Sequence, residues 1–228
     1  MEPNPKLQVE QKKIIMRKIC MISDVHEQWM KLKIPSCDLL IVAGDITYVG
    51  DYAKIQEFNN WAFKLQNKGH VGDVLLIAGN HDLTAQRDPE TWKALLPDVT
   101  YIEDEEVTRL GLRIYGSPWT PSFFKESWVF NADRGEQIKQ YWDKIPAGLD
   151  ILITHGPAYG QGDLTPRGER VGCYDLREAI LDKKPRVHVC GHIHHAAGIS
   201  MLGNTVCVNA ASCTEAYKAT NMPIMIEL

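Results

Sequence analysis

Five short apolar runs in this 228-residue chain stop at the same kind of ending, and that repetition constrains the fold more than any single motif does. Ile19-Cys20-Met21-Ile22 runs into Ser23-Asp24-Val25-His26, and Leu39-Leu40-Ile41-Val42 into Ala43-Gly44-Asp45. Val74-Leu75-Leu76-Ile77 runs into Ala78-Gly79-Asn80-His81-Asp82. Leu149 to Ile153 leads to Thr154-His155-Gly156-Pro157, and Arg186 to Val189 to Cys190-Gly191-His192-Ile193-His194-His195. A short apolar run closed by a breaker reads as a strand covered on both faces, as in parallel or mixed sheets. The polar residues then sit on loops at the C-terminal ends of strands, where open α/β sheets place their ligands. The fold class is α/β.

Between the runs, Ile55, Phe58, Ala62 and Leu65 recur at helical spacing over Tyr52 to Asn67, which predicts a crossover helix and parallel flanking strands. Asp51 reads first as the cap of that helix and second as a residue that approaches the strand-end cluster. Further helices are predicted over Glu90 to Leu96, Glu136 to Lys144 and Tyr174 to Leu181. Val99 to Ile102 and Glu106 to Tyr115, the latter broken at Leu110-Gly111, read as short strands or a hairpin. Ile199 to Leu202 and Thr205 to Val208 form a hairpin around Gly203-Asn204. The connection carrying Trp119, Phe123, Phe124, Trp128 and Phe130 reads first as core or a loop packed on its own rings, and second as a binding wall. Ala158 to Gly172 has no periodicity, and a long loop of that kind inside a compact domain is commonly a lid or a binding loop. Residues 1–17 read as a polar tail, and 18–228 as one domain.

Hydrophobic residues make up 44% and charged residues 24%, ordinary values for a globular chain. The formal net charge of -4 gives no basic surface for nucleic acid, so an anionic substrate would need local positive charge, which bound metal supplies. No run reaches the length of a membrane span, and the polar start lacks a signal-peptide core. The six cysteines show no Cys-x-x-Cys pair and read as buried free thiols. A cytoplasmic location is expected.

The strand ends collect Asp24, His26, Asp45, Asn80, His81, His155, His192 and His194, with five of the eight histidines of the chain. Each alone is more often a hydrogen-bonded structural residue than a ligand. Together they would crowd carboxylates and imidazoles with little basic compensation unless a cation is held there. Histidine, carboxylate and amide oxygen without thiolate suit manganese, iron, zinc or magnesium. The set is too large for one tetrahedral ion and fits two ions, roughly 3.5–4 Å apart as in phosphatases and nucleases, with Asp45 as a candidate bridge.

In order and spacing, Asp24-x-His26, Gly44-Asp45, Gly79-Asn80-His81-Asp82, His155 and Gly191-His192-x-His194 resemble the five blocks of the calcineurin-like metallophosphoesterases. Ile114 to Pro121, Asp150 to Pro157 and Arg170 to Cys173 are similar to linking segments of the metallophosphoesterase-domain-containing branch. The resemblance implies two mixed β-sheets packed as a sandwich and flanked by helices. It implies a first metal held by Asp24, His26, Asp45 and His194, and a second by Asp45, Asn80, His155 and His192. His81 would act on the leaving oxygen as general acid or charge stabiliser, and Asp82 would orient a histidine. The chain departs from many relatives in lacking an acidic residue three positions after Asp45, where Tyr48 stands.

The reaction expected is attack on phosphorus by a hydroxide bridging two divalent ions, manganese being the first choice. The substrate expected is a small-molecule phosphate ester, a diester of nucleotide-like kind before a monoester. Trp119, Tyr159, Arg167 and Arg170 are the candidate substrate contacts. From a different class comes a metal-dependent nucleotide sensor or scaffold with little turnover. No Gly-x-Ser-x-Gly or phosphate-cradling glycine loop with lysine supports another hydrolase plan.

Overall fold

The computed structural model describes residues 16–123 and 127–228. The tail through residue 15 and Phe124 lie outside the described residues. In chain order the elements are β1 (Lys18–Ile22), β2 (Cys37–Ala43), α1 (Tyr52–Asn67), β3 (Val71–Ile77), α2 (Leu83–Arg87) and α3 (Pro89–Ala94). They continue with β4 (Thr100–Tyr101), β5 (Glu105–Arg109), β6 (Leu112–Ser117), β7 (Thr120–Pro121), β8 (Asn131–Ala132), α4 (Glu136–Trp142) and β9 (Ile151–Thr154). The last are α5 (Tyr174–Lys183), β10 (Val187–Cys190), β11 (Gly198–Leu202), β12 (Thr205–Asn209) and β13 (Ile224–Glu227).

Two mixed sheets form, one of five strands in the order β13-β1-β2-β3-β4 and one of six in the order β11-β12-β10-β9-β6-β5. In each the inner strands run parallel, and antiparallel partners lie toward the edges: β13 on β1, β11 on β12 and β5 on β6. The two-residue period of a strand explains the layers. Ile19 and Met21 of β1, Leu39 and Ile41 of β2, and Leu75 and Ile77 of β3 meet Ile114, Ile151, Ile153, Val187, Val189 and Val208 of the other sheet. The alternate residues Cys20, Ile22, Leu40, Val42, Val74 and Leu76 face outward against Ile55, Phe58, Trp61 and Ala62 of α1 and Trp92 of α3. On the far side, Tyr115, Leu152 and Cys207 pack on Ile138 and Trp142 of α4 and on Leu176 and Ile180 of α5. Helices, sheet, sheet and helices are stacked in that order, so every inner strand is buried on both faces. This is why the runs carry no polar alternation.

Asp51 caps α1 by accepting from Lys54 N at 3.0 Å. The Leu110-Gly111 break is the turn of the β5–β6 hairpin, with both residues at positive φ. All six cysteines are buried and free. Short α2, the β7–β8 pair and β13 are not among the predicted elements. The pair β7–β8 interrupts the aromatic connection, in which Phe130 is core while Trp119 stacks on Tyr141 at 3.7 Å. Among the described residues no helix is long and apolar enough to cross a membrane.

Candidate metal centre

The C-terminal ends of β1, β2 and β3 in one sheet face those of β9 and β10 in the other, and the eight strand-end residues meet across the gap. Two glycines permit the approach. A Cβ on Gly79 would lie 2.2 Å from Asp45 Oδ1 and 2.6 Å from His155 Cε1, and one on Gly191 would lie 2.1 Å from Asp24 Oδ2. Asp24, His26, Asp45 and His192 all adopt positive φ, a conformation rare outside glycine. Non-glycine residues held there cost about 1–3 kcal/mol each and cluster at functional sites.

Each carboxylate is fixed through one oxygen and presents the other. Asp24 Oδ2 accepts from His192 N at 2.8 Å, while Oδ1 lies 3.2 Å from His194 Nε2. Asp45 Oδ1 accepts from His81 N at 2.8 Å, while Oδ2 lies 3.3 Å from His155 Nε2 and 3.9 Å from His26 Nε2. The imidazoles are aimed by backbone carbonyls at Nδ1: His26 on Thr47 at 3.2 Å, His81 on Tyr48 at 2.8 Å, His155 on Ala43 at 2.9 Å and His194 on Thr214 at 3.0 Å. A carbonyl can only accept, so each Nδ1 carries the hydrogen and, in the neutral ring, Nε2 presents a lone pair to the site.

Those lone pairs test whether metal fits. His26 Nε2 and His194 Nε2 are 3.2 Å apart, and His155 Nε2 is 2.9 Å from Asn80 Oδ1. Asp24 Oδ1 is buried and has no hydrogen bond of acceptable geometry. Electron pairs converging at these distances repel unless protons or cations lie among them. Ligand atoms of Asp24, His26 and His194 lie within 4.8 Å of one another, as do those of Asp24, Asp45 and His155, and those of His26, Asp45 and His81. His192 stands beside His155, ring centroids 5.1 Å apart. The donor set fits divalent cations.

Without metal the balance is held by protons. Burial opposes a charge on His155, but Asp45 and Asp24 outweigh it and raise its pKa to about 9. His194 is likewise raised to about 9 against burial, by the Asp24 carboxylate 3.2 Å away. Burial tends to raise Asp24 and Asp45, yet His194 brings the first down to about 2 and His155 holds the second well below the carboxylate range. Burial lowers His26 to about 4 and His192 to about 3.

Asp82 differs from expectation. Its carboxylate orients no histidine. It accepts instead from the amides of Gly79 at 2.9 Å, Thr47 at 3.0 Å and Ile46 at 3.3 Å, and from Thr47 Oγ1 at 2.9 Å. It stands just ahead of α2, so its side chain turns back onto the loop after β2 and ties the Asp45 loop to the Asn80 loop. Burial, then the charge of Asp45, raises its pKa to about 6.

The four candidate substrate contacts are not brought to the cleft. Trp119 donates to Asp104 at 3.1 Å, and Tyr159 stacks on Tyr174 at 3.7 Å. Arg170 pairs with Asp163 at 2.7 Å, and Arg167 is absent from the cleft lining. The 158–172 loop is ordered by buried Asp163, which also accepts from Gly160 N and Gly172 N, and it enters the cleft through Thr165. The cleft, of about 430 Å³, is lined by Asp45, Asn80, His192 and His194 of the candidate metal set together with His81, Phe123, Thr165, Ile193, Glu215 and Tyr217. Trp128 lies against His81 at 4.0 Å and Phe123 near His192 at 5.0 Å. Glu215, Tyr217 and the orienting carbonyls of Tyr48 and Thr214 escaped the sequence reading. Any residue supplies a carbonyl, and nothing local marks the turn near residue 215 as part of a site.

The chain matches the calcineurin-like phosphoesterase family over residues 17–196. It is 38% identical to metallophosphoesterase domain-containing protein 1 of Homo sapiens, and equally to that of Mus musculus, over 93% of this chain and 71% of the relative. Among solved structures it resembles TT1561 of Thermus thermophilus in fold, with a TM-score of 0.59 at 13% identity over 86% of this chain and 89% of that one. Family match, relatives and the converging ligand set agree: the chain belongs to the calcineurin-like metallophosphoesterases and is a phosphoric ester hydrolase.

Proposed function

We propose that this protein hydrolyses small-molecule phosphodiesters, nucleotide-like diesters among them, with two divalent ions, manganese before iron, zinc or magnesium. The observation that carries the diester preference is the lining of the cleft. It includes Glu215, Phe123 and Tyr217 and, among the described residues, no lysine or arginine. A monoester arrives as a dianion and needs cationic side chains beyond the metals to balance its second charge, which Glu215 would oppose. A diester carries one charge and two organic groups, which suit rings.

Asp24, His26, Asp45 and His194 would hold the first ion, and Asp45, Asn80, His155 and His192 the second. When bound, the ions would supply Lewis acidity for the phosphoryl oxygens and would lower the pKa of the attacking water. The rest falls to the chain. His81, anchored by Tyr48 O at 2.8 Å, keeps Nε2 toward the cleft, and its imidazolium form donates a proton to the leaving oxygen. Asp82 acts at one remove, keeping the Asp45 and Asn80 loops in register. Residues 18–228 work as one unit. The six buried thiols suit a reducing compartment such as the cytoplasm.

The test is hydrolysis of bis(4-nitrophenyl) phosphate and of 4-nitrophenyl phosphate by purified protein, with manganese and after chelation. Metal-dependent turnover faster on the diester is expected. Faster turnover of the monoester would assign a phosphomonoesterase. Bound metal with turnover of neither would assign the sensor or scaffold.

A further inference from the structure

Tyr217 shares the backbone signature of the metal ligands without being one. Residues 214–218 form a tight loop: Tyr217 N donates to Thr214 O at 2.8 Å, and Thr214 N donates to Lys218 O at 2.9 Å. Cys213 and Ala219 bridge in antiparallel fashion on either side. In a three-residue hairpin loop of this kind the last loop residue is left-handed, and glycine is favoured there. Tyr217 occupies that position at φ 55. An aromatic residue in this conformation is a genuine outlier and persists only when the surroundings gain from it.

The side chain shows what is gained. Its ring meets His26 edge-on at 4.7 Å and Tyr48 at 5.2 Å, and lies 5.9 Å from His194 and 6.2 Å from His81. It is 38% exposed, so a face or edge remains open to the cleft that it lines. The same short loop delivers Thr214 O to His194. A strained turn thus fixes one ligand histidine and an open aromatic ring beside the residue that faces the leaving oxygen.

We infer that Tyr217 is a specificity-determining residue whose ring seats an aromatic ester group of the substrate on the His26–His81 side of the metal pair. The inference rests on the phosphodiesterase reading. The ring, not the hydroxyl, carries the role.

The experiment compares wild type, Tyr217→Asn and Tyr217→Phe with manganese bound. Asparagine tolerates the left-handed conformation, so the loop keeps its shape without the ring. Diphenyl phosphate and dimethyl phosphate carry the same charge and differ only in their rings, and both are titrated as inhibitors of bis(4-nitrophenyl) phosphate turnover. Removing one stacked ring should weaken diphenyl phosphate about tenfold in Tyr217→Asn. Dimethyl phosphate should change less than about threefold, manganese content should be unchanged, and Tyr217→Phe should stay within about threefold of wild type on both ligands. Equal weakening of the two ligands, or none, overturns the inference. Should wild type turn over no diester, the phosphodiesterase reading alone fails. Thermal-shift affinities for the same two ligands then decide, and an aryl preference retained in Tyr217→Asn overturns the role of the ring.

Discussion

Replacing Gly79 by alanine adds one methyl group between Asp45 and His155. The added Cβ would sit 2.2 Å from Asp45 Oδ1, 2.5 Å from Asp45 N and 2.6 Å from His155 Cε1. Ordinary carbon contacts lie at about 3.5 Å, so each neighbour must retreat by about 1 Å. None is a loose tip. Asp45 Oδ1 holds His81 N at 2.8 Å, Asp45 N is backbone, and His155 is tied to Ala43 O at 2.9 Å. Overpacking costs about 1–3 kcal/mol, and rigid neighbours on three sides place this change at the upper end. At about 2–4 °C per kcal/mol for a chain of this size, Tm should fall by about 6–12 °C. If Asp45 bridges two ions as proposed, displacing its carboxylate by about 1 Å should lower turnover about 10²-fold. Gly69→Ala is the control: φ is +64 and nothing lies within 4 Å, so it meets backbone strain alone, about 1 kcal/mol. Manganese titration by calorimetry, with Tm, separates the two. Gly79→Ala binding manganese with wild-type affinity and stoichiometry would refute the view that this glycine sets the spacing of Asp45 and His155.

His81→Ala should lower turnover by about 10²–10⁴ with metal content intact, since only a proton donor is removed; normal turnover would remove His81 from the reaction. Asp45→Ala takes away the oxygen within 3.3 Å of His155 and 3.9 Å of His26 and should deplete both ions together, which elemental analysis reads directly. Manganese must displace protons from His155 and His194, both raised to about 9, so apparent affinity should rise from pH 6 to 8 by up to about tenfold per proton per unit. The sign is fixed because the proton-bound forms dominate below about 9, and a flat profile contradicts the proton balance. Ile153→Ala and Leu152→Ala empty opposite faces of β9 and should each cost about 2–5 kcal/mol. Only Ile153→Ala, at the contact between the sheets, should also weaken metal binding. Equal metal affinities in the two variants would uncouple the site from that contact.

The strands were legible because both of their faces are buried. Ile19 and Cys20 point to different cores, and burial of both turns β1 into a continuous apolar run. The candidate ligands could be picked out because each follows such a run and several stand next to a glycine that permits the approach. The partners of the ligands were not. Ala43, Thr47, Tyr48 and Thr214 serve through carbonyls, and no side chain announces that. Nor was β13, whose half-buried Ile224 and Ile226 complete the first sheet from the other end of the chain. Tyr159 and Arg170 follow His155 in sequence but pack away from the cleft, whereas Glu215 and Tyr217 arrive from a turn three strands later.

Local propensity misleads at the candidate ligands themselves. Asp24, His26, Asp45 and His192 occupy a left-handed conformation that favours glycine first and, among other residues, asparagine, aspartate and histidine, at a cost in strain. Conflict between a local rule and the global fold persists where another interaction offsets it. Here the offset is the converging set of lone pairs and carboxylates, which a cation turns from repulsive to attractive. The three-residue loop at Tyr217 breaks the same rule within the same few ångströms, but its ring offers no lone pair to a metal. Its compensation comes from the contacts of the ring with His26 and Tyr48, and the part of the ring left open to the cleft is what an aromatic ester group would match.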